Sequence, residues 1–428
     1  MREIEVDPLL LRMVGQRLAP IKKLSRSNID GFDRLQIASA EVINTKILGG
    51  NPIFPASSSG QSLNLSKALA GAIGEALERH GASCRPHKSH FINGEYTELS
   101  QKHPLFPLED TRLFSAEQIS SPRFYLKNVA PNDKTDWLQG LLFKESPHEK
   151  NSSEIYFPYG RVILGGSSRY PFDFTTTNGL ALGSNFRQAR ETALCESLER
   201  AAFLDAWWFK KSPPVYTYED CLDLLPRPLR VIPQWLKSRL HILDISDTWG
   251  IPTFACVIRG LSHDEPSVTV GSASHSSPFK AFSKALEESA RIFLMLLNNA
   301  EKTEKIPEPP FDESIKNFDD IARLYASEES RKWTDFLIAG RRPGKNALKK
   351  QLAMPGVVPT EEALKRGARI LAFDITPIDL AMAGLSLARV IVPEAIPLNC
   401  AHIARPLGCP ALCSYSVAEL NPMPHPYL

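Results

Sequence analysis

One sequence motif occurs twice in this chain and constrains its fold more than any other feature. Residues 72–79 and residues 193–200 both read A-[IL]-x-E-x-L-E-R. A weaker copy at residues 285–291 keeps A-[IL]-x-E and ends in an arginine. Residues three and four apart share one face of a helix, so each full copy presents two carboxylates and one guanidinium along one edge. The repetition indicates an internal duplication.

Taken singly, each copy is best explained as an ordinary ion pair on a helix surface, which stabilises a helix by about 0.3–0.5 kcal/mol. Recurrence favours a second interpretation, in which the carboxylate edges converge on one site. Crowded carboxylates repel each other unless cations neutralise them. Mg²⁺ prefers oxygen ligands and shares phosphate oxygens with a nucleotide, and arginine pairs well with phosphates. The motif therefore predicts a magnesium–nucleotide site.

The rest of the chain alternates between helical and strand-like patterns. Apolar residues recur at helical spacing in three segments that contain the motif copies, 66–82, 185–203 and 278–297. Runs rich in β-branched residues predict strands at 162–164, 254–258, 267–270, 370–373 and 388–392. Polar segments at 144–154 and 301–320 predict exposed loops. Because helices and strands are mixed throughout, an α+β or α/β architecture is expected.

Composition excludes several classes of protein. The 428 residues are 43% hydrophobic and 23% charged, with a net charge of +2, which gives no footprint for nucleic acid or for a membrane surface. No apolar run approaches the roughly 18 residues that span a bilayer, and the N-terminus has no apolar signal core. The seven cysteines are scattered, which is typical of reduced thiols. We therefore expect a cytoplasmic protein.

Common nucleotide and hydrolase motifs are absent from the sequence. Residues 340–346 resemble a phosphate loop but lack the Ser or Thr after Lys345, so they are interpreted as a basic turn. The segment 177–183, which contains Asn178, directly precedes the second motif helix. Its glycines allow close backbone approach, and a helix N-terminus favours phosphate. This turn is predicted to contact the nucleotide.

These motifs together resemble the YcaO family of ATP-dependent peptide-modifying enzymes. The similarity continues in D-x-T-x-x-D at residues 374–379 and in GLSLARVIVP at residues 384–393. The resemblance implies a YcaO-type α+β fold with an internal pseudo-repeat around the nucleotide. It also implies that residues 1–55 are an N-terminal segment of the same unit, and that residues 56–428 form the catalytic domain with a proline-rich tail.

The resemblance further assigns roles to individual residues. It implies ATP and Mg²⁺ as cofactors, with five glutamates as ligands of metal and nucleotide: Glu75, Glu78, Glu196, Glu199 and Glu288. Nucleotide contacts are further expected from Asn178 and from three arginines near the phosphates: Arg79, Arg200 and Arg291. Two departures from the family pattern, Ala72 and the segment 60–62, put one nucleotide contact in doubt, with Ser62 or Lys67 as replacements.

The C-terminus points to one type of activity. A flexible proline-rich end is common, but the alternation of Pro422, Pro424 and Pro426 stiffens the chain into an extended form without three N–H donors. The tail resembles that of the azoline-forming cyclodehydratases in the family. By that resemblance, the prolines carry the tail to the active site, and His425 or the terminal carboxylate of Leu428 accepts the proton of the nucleophile.

The implied reaction is ATP-dependent formation of thiazoline or oxazoline rings from Cys, Ser or Thr in a ribosomal precursor peptide. About 55 residues precede the first match, too few for a leader-binding module together with an adenylating-enzyme-like domain, so a separate E1-like (ThiF-like) partner is expected to bind the leader. A flavin dehydrogenase is a further possible partner, and the chain is expected to work as a dimer or in a hetero-oligomer. The alternatives are a YcaO enzyme that forms thioamides or amidines and a non-catalytic nucleotide-binding scaffold.

Overall fold

The computed structural model of the chain describes residues 6–15, 19–27, 35–43, 57–87, 90–145, 152–164, 176–298 and 305–427. Their strands are β1 (Ile21–Ser27), β2 (Gln36–Val42), β3 (Ser57–Ser62), β4 (Phe91–Gly94), β5 (Thr135–Phe143), β6 (Ser152–Pro158), β7 (Leu180–Gly183), β8 (Val215–Tyr216), β9 (Leu240–Asp244), β10 (Thr253–Arg259), β11 (Val268–Ser274), β12 (Ile370–Asp374) and β13 (Ser386–Ile391). Their α-helices are α1 (Pro8–Arg12), α2 (Leu65–Ser83), α3 (Tyr96–Leu99), α4 (Ala116–Ser120), α5 (Tyr159–Val162), α6 (Phe186–Trp208), α7 (Tyr218–Cys221), α8 (Val231–Leu236), α9 (Pro278–Asn298), α10 (Phe311–Ser314), α11 (Phe318–Ala326), α12 (Asp335–Ile338), α13 (Lys345–Leu352), α14 (Pro359–Lys365) and α15 (Ile378–Met382).

The described strands form three sheets in which neighbouring strands run antiparallel. One sheet has the order β1-β2-β3, a second has the order β11-β10-β9-β8, and the third has the order β4-β5-β12-β13-β7 with β6 paired to β5. Antiparallel sheets with helices packed on them make this an α+β fold, which confirms the predicted class. None of the described helices is long and apolar enough to cross a membrane.

Each long helix that carries a motif copy directly follows a strand, and each also contacts the strand before another such helix. Helix α2 follows β3 and contacts β7, α6 follows β7 and contacts β11, and α9 follows β11 and contacts β3. Asn64 and Asn185 cap α2 and α6 by accepting from backbone N–H groups in the first turn. The cyclic arrangement brings the three motif helices toward one another.

Close contact between these helices and their preceding strands depends on glycine. A Cβ atom on Gly60 of β3 would lie 2.1 Å from the backbone oxygen of Ala68 in α2. A Cβ on Gly271 of β11 would lie 2.7 Å from the backbone nitrogen of Ser289 in α9. Side chains of any size at these positions would push helix and strand apart, since interiors are closely packed.

The predicted elements are confirmed for all three motif helices and for four of the five strands. The strand predicted at 162–164 is wrong, because Val162 ends the short helix α5. The loop predicted at 144–154 is also partly wrong, since β6 begins at Ser152, and α10 and part of α11 lie within the segment 301–320. The predicted boundary between residues 55 and 56 lies outside the described residues, and the two-segment division stays a prediction.

Candidate active site

Helix α2 contributes two half-buried glutamates whose oxygens bond to different strands. Glu75 Oε1 pairs with Arg79 at 2.6 Å, and Glu75 Oε2 accepts from the backbone N–H of Ser59 in β3 at 3.0 Å. Glu78 Oε1 accepts from the backbone N–H of Leu182 in β7 at 2.9 Å. The first pair is the ion pair within one helix that the sequence predicts, whereas the Glu78 contact ties α2 to the second motif region.

Helix α6 repeats this pattern one strand further along. Glu196 lies 3.4 Å from Arg200, as Glu75 lies near Arg79. Glu199 Oε2 accepts from the backbone N–H of Ser274 in β11 at 2.9 Å. Glu78 and Glu199 occupy equivalent motif positions, and each bonds the amide that lies fourteen residues before the first glutamate of the next copy. These equivalent contacts are what an internal duplication would produce, although the duplication itself stays a prediction.

All five predicted glutamates belong to one electrostatic cluster. Burial and the charge of Glu196 raise the pKa of Glu78 to about 8. Burial also raises the pKa of Glu196 to about 7, against the lowering effect of Arg200. Burial and the charge of Glu199 raise the pKa of Glu288 on α9, and Glu75 contributes to the same rise. Glu78, Glu196 and Glu288 therefore resist ionisation, mainly because they are buried and partly because neighbouring carboxylates repel their charge, and a bound cation would relieve that repulsion.

The turn before α6 lies beside this cluster. Gly179 has φ +76°, and a Cβ there would lie 2.4 Å from the backbone oxygen of Val390, so the turn requires glycine at this position. The side-chain oxygen of Asn178 is buried and has no hydrogen-bond partner in the described parts of the chain. Arg389 in β13 donates to the backbone oxygen of Thr176 at 2.7 Å, and its charge lowers the pKa of Glu196.

Arg389 lies in the GLSLARVIVP segment, and the sequence alone gives it no role at the site. Its signal in the sequence is a guanidinium between Ala388 and Val390 in a strand, where a charge needs a specific partner. Nothing in the local pattern shows that the partner is the glutamate cluster, because that proximity arises from the pairing of β13 with β7.

The proline-rich tail is buried in the same region. Pro424, His425, Pro426 and Tyr427 are buried, Pro422 is exposed, and Leu428 lies outside the described residues. Because the prolines cannot donate, the tail is held by its carbonyl groups: Trp207 donates to Met423 O at 3.1 Å, and Tyr325 donates to Pro424 O. The side chains of Trp207 and Tyr325 therefore hold the tail in place through hydrogen bonds to its backbone carbonyl oxygens.

Tyr427 connects the tail to the glutamate cluster, a role that the sequence alone does not indicate. Its hydroxyl donates to Glu199 Oε1 at 2.7 Å, Ser272 Oγ lies 2.8 Å from the same oxygen, and the two hydroxyl oxygens are 2.6 Å apart. The guanidinium of Arg200 lies 5.5 Å from the centre of the Tyr427 ring. The only feature of the sequence that points to Tyr427 is its position directly after Pro426, the last proline of the tail.

His425 is oriented by the segment that precedes the tail. Its Nε2 atom donates to the backbone oxygen of Asn399 at 2.6 Å, which leaves Nδ1 as the acceptor nitrogen. Burial lowers the pKa of His425 to about 4, so the imidazole is neutral at pH 7. Among described residues, Nδ1 has no hydrogen-bond partner.

A second pair of ionisable groups lies next to the motif of α2. His80 is buried, and its Nε2 atom lies 2.7 Å from Asp379 Oδ2 in the D-x-T-x-x-D segment. Although burial opposes the charged imidazole, the hydrogen bond with Asp379 raises the pKa of His80 to about 9. This pair anchors α2 to the helix α15 and explains why Asp379 belongs to the motif.

The donor set fits magnesium and a nucleotide. Within the described ranges, no three carboxylate, imidazole or thiol groups are arranged to hold a metal by themselves. Mg²⁺ is usually bound by one or two carboxylates together with phosphates and water, so a preformed cage is not required. Arg291 Nε and Asn178 Oδ1 are buried polar atoms with no partner in the described chain, and polar atoms of this kind normally have one when the ligand is bound.

The family of the chain follows from its match to a family model. Residues 59–396 match the model described as YcaO cyclodehydratase, ATP- and Mg²⁺-binding. The chain belongs to the YcaO family. The match contains every predicted glutamate of the site, whereas the tail lies beyond it. ATP and Mg²⁺ are thus the cofactors of this YcaO protein.

Solved structures show the same fold. A heterocyclase in complex with substrate and cofactor is 18% identical, with a TM-score of 0.72, and the match covers 98% of this chain and 56% of that one. YcaO from Methanopyrus kandleri, bound with AMPPCP and Mg²⁺, is 15% identical with a TM-score of 0.57, covering 89% and 87%. The Escherichia coli microcin synthetase McbBCD complex is 14% identical with a TM-score of 0.58, covering 87% and 88%.

The YcaO protein spans little more than half the length of that heterocyclase chain. No curated protein matches the chain in sequence. The likeness to these structures therefore establishes the fold, and the reaction itself is argued from the site.

Proposed function

We propose that this YcaO protein is an ATP-dependent cyclodehydratase that forms thiazoline and oxazoline rings from Cys, Ser and Thr of a ribosomal precursor peptide. The contact between the C-terminal tail and the glutamate cluster carries this proposal. Tyr427 of the tail bonds Glu199, and Pro424 and Pro426 are buried beside it. A tail of this form, seated against the cofactor site, distinguishes the ring-forming type in the resemblance described above.

The glutamates and arginines hold the cofactors in this proposal. Glu75, Glu78, Glu196, Glu199 and Glu288 would bind Mg²⁺ and, through it, the phosphates. Arg79, Arg200, Arg291 and Asn178 would contact the nucleotide directly. When bound, ATP supplies a phosphoryl group that converts the attacked amide oxygen into a leaving group. The protein then positions the peptide amide, excludes water and neutralises negative charge with its arginines.

The tail would supply the proton acceptor. The side chain of the cyclising residue must lose a proton as it attacks the preceding carbonyl carbon. His425 has an acceptor atom at Nδ1 that has no hydrogen-bond partner among the described residues, which supports the role that its position in the tail suggests. The terminal carboxylate of Leu428 is the other candidate. Pro422, Pro424 and Pro426 fix the path of the backbone that carries both groups.

Partner proteins complete the proposed system. An E1-like leader-binding protein would present the precursor peptide, and a flavin dehydrogenase could oxidise azolines to azoles. Multi-subunit assembly is supported by the structural similarity to McbBCD, which is itself a complex, including one solved with pro-MccB17 bound. The expected dimer or hetero-oligomer and the cytoplasmic location stay predictions.

The proposal is tested by the mass of the peptide. The protein is incubated with an E1-like leader-binding protein and a Cys-containing ribosomal precursor peptide, together with ATP and Mg²⁺, and a parallel mixture also contains sodium sulfide. We expect phosphate release and the loss of one water per ring, and no change when AMPPCP replaces ATP. A peptide of unchanged mass would contradict the cyclodehydratase assignment, and exchange of oxygen for sulfur would favour thioamide formation instead. Absence of ATP hydrolysis in the complete mixture would favour a scaffold.

A further inference from the structure

A small cavity lies between the glutamate cluster and the segment that anchors the tail. Its volume is about 80 Å³. Its polar lining residues include Asn178, Ser197, Arg389 and Asn399. Apolar side chains, among them Ala395 and Ile396, also line it. The cavity therefore offers polar groups together with an apolar surface.

Asn399 of the lining presents a buried acceptor that has no partner among the described residues. Asn399 is 8% exposed, and its Nδ2 atom donates to the backbone oxygen of Ala401 at 3.0 Å, which fixes the orientation of the amide. The side-chain oxygen of Asn399 is buried and has no hydrogen-bond partner among the residues that the structure describes. Buried polar atoms are normally paired, so a ligand that brings an N–H donor to this oxygen would satisfy it.

The size of the cavity limits what fits. Its volume of about 80 Å³ corresponds to two or three water molecules at roughly 30 Å³ each. Benzene occupies an apolar cavity of roughly 150 Å³, so a purine base is too large for this one. A peptide unit with a small side chain is of the right size and carries the required N–H group. The volume therefore favours a peptide over the nucleoside part of ATP.

The position of the cavity agrees with a peptide. Ser197 lies between the two glutamates of the α6 motif, and the backbone oxygen of Asn399 accepts from His425 of the tail. Among the described lining residues there is none of the motif glutamates or motif arginines. A ligand in the cavity would lie beside the cofactor site and beside the tail, without occupying the metal site.

We propose that this cavity binds one small residue of the peptide substrate, with its side chain against Ala395 and a backbone N–H group donating to the side-chain oxygen of Asn399. The assignment rests on the proposed function, because it names where the substrate of that reaction sits. The cavity would select for glycine or alanine, and against bulky residues, at the peptide position that enters it.

Saturation-transfer NMR on the full-length protein tests the assignment without turnover. The probes are acetyl-glycyl-cysteinamide, acetyl-tryptophyl-cysteinamide and adenosine at millimolar concentration. We expect the glycyl probe to bind and the tryptophyl probe not to bind. Ala395→Leu fills the cavity and should weaken binding of the glycyl probe by roughly tenfold or more, with adenosine binding unchanged. Ala411→Leu is the matched control, since Ala411 lies in the same C-terminal segment but is not among the residues that line the cavity. This variant should bind the glycyl probe and adenosine as the wild type does.

Three results would overturn the assignment: no glycyl signal with the wild type, equal glycyl binding by Ala395→Leu, or loss of adenosine binding in that variant. The last result would assign the cavity to the nucleotide. If the wild type binds the glycyl probe but the precursor peptide keeps its mass, the proposed function fails while the peptide cavity stands. If rings form but Ala395→Leu binds and reacts normally, only the cavity assignment fails.

Discussion

Replacing Tyr427 with phenylalanine removes the hydroxyl that joins the tail to the glutamate cluster and leaves the ring in place. The hydroxyl donates to Glu199 Oε1 at 2.7 Å, and the ring packs near Phe203 and Arg200. A hydrogen bond to a charged group contributes about 1.5–3 kcal/mol. Ser272 also bonds the same carboxylate oxygen and would still do so, which places the expected loss near the lower end, at about 1.5–2 kcal/mol.

Tyr325→Phe is the matched control. Tyr325 is also fully buried and also bonds the tail, but its acceptor is the neutral carbonyl of Pro424. Hydrogen bonds between neutral groups contribute about 0.5–1.5 kcal/mol, so this variant should lose less stability. Because Tyr325 does not contact a glutamate of the cluster, the variant should also bind nucleotide normally.

Urea unfolding and calorimetric titration with Mg²⁺ and AMPPCP measure both effects. For Tyr427→Phe we expect a lower unfolding midpoint and weaker nucleotide binding, since Glu199 loses one of the donors that fix its position. For Tyr325→Phe we expect a smaller stability loss and no change in affinity. Equal stability and affinity for Tyr427→Phe and the wild type would refute the coupling between tail and cofactor site.

Three further predictions concern the elements around the site. Gly271→Ala places a methyl group 2.7 Å from the Ser289 backbone nitrogen and should cost about 1–3 kcal/mol of unfolding free energy, whereas Gly74→Ala, which meets nothing within 4 Å, should not destabilise; equal midpoints in urea would contradict the close packing. The pKa of His80, about 9 against 6.5 unfolded, means that its pairing with Asp379 stabilises fully below pH 6.5 and is lost as pH rises through 9. Asp379→Asn should flatten that part of the stability–pH curve, and an unchanged slope would exclude the pair as its cause. The pKa of Glu78 is about 8 against 4.5 unfolded, so this carboxyl increasingly destabilises the nucleotide-free protein as pH rises from 4.5 to 8. The Glu78→Gln variant should therefore be more stable than the wild type at pH 8 and not at pH 4. A stability difference between variant and wild type that does not vary with pH would contradict this.

The helices of the site were predictable from the sequence because their signal is local. In α2 and α6 the apolar spacing, the asparagine caps and the motif itself all agree, so the local pattern and the final fold coincide. Strand β10 was equally clear, since nearly all of its residues are buried and apolar. The strand predicted at 162–164 is wrong, because three apolar residues fit the buried end of a helix as well as a strand.

The contacts that complete the site were not predictable, because they join distant parts of the chain. The bond of Glu78 to Leu182 spans 104 residues, and the bond of Glu199 to Tyr427 spans 228 residues. Nothing in the motif distinguishes a glutamate that pairs within its own helix, such as Glu196, from one that bonds a neighbouring strand, such as Glu78. The tail pattern likewise predicts that the prolines bring the tail to the site, whereas the contact with Glu199 is made by Tyr427, the residue after the last proline.

The account's central claim is that glutamates from three helices form one magnesium–nucleotide site. Calorimetric titration of Mg²⁺ with AMPPCP into the wild type and into Glu75→Gln, Glu78→Gln, Glu196→Gln, Glu199→Gln and Glu288→Gln tests it most directly. Each variant keeps the shape of its side chain and loses its charge, so we predict that the affinity falls at least roughly tenfold in all five, equivalent to about 1.4 kcal/mol. Wild-type affinity in the variants of any one helix would contradict the claim that its glutamates share the site.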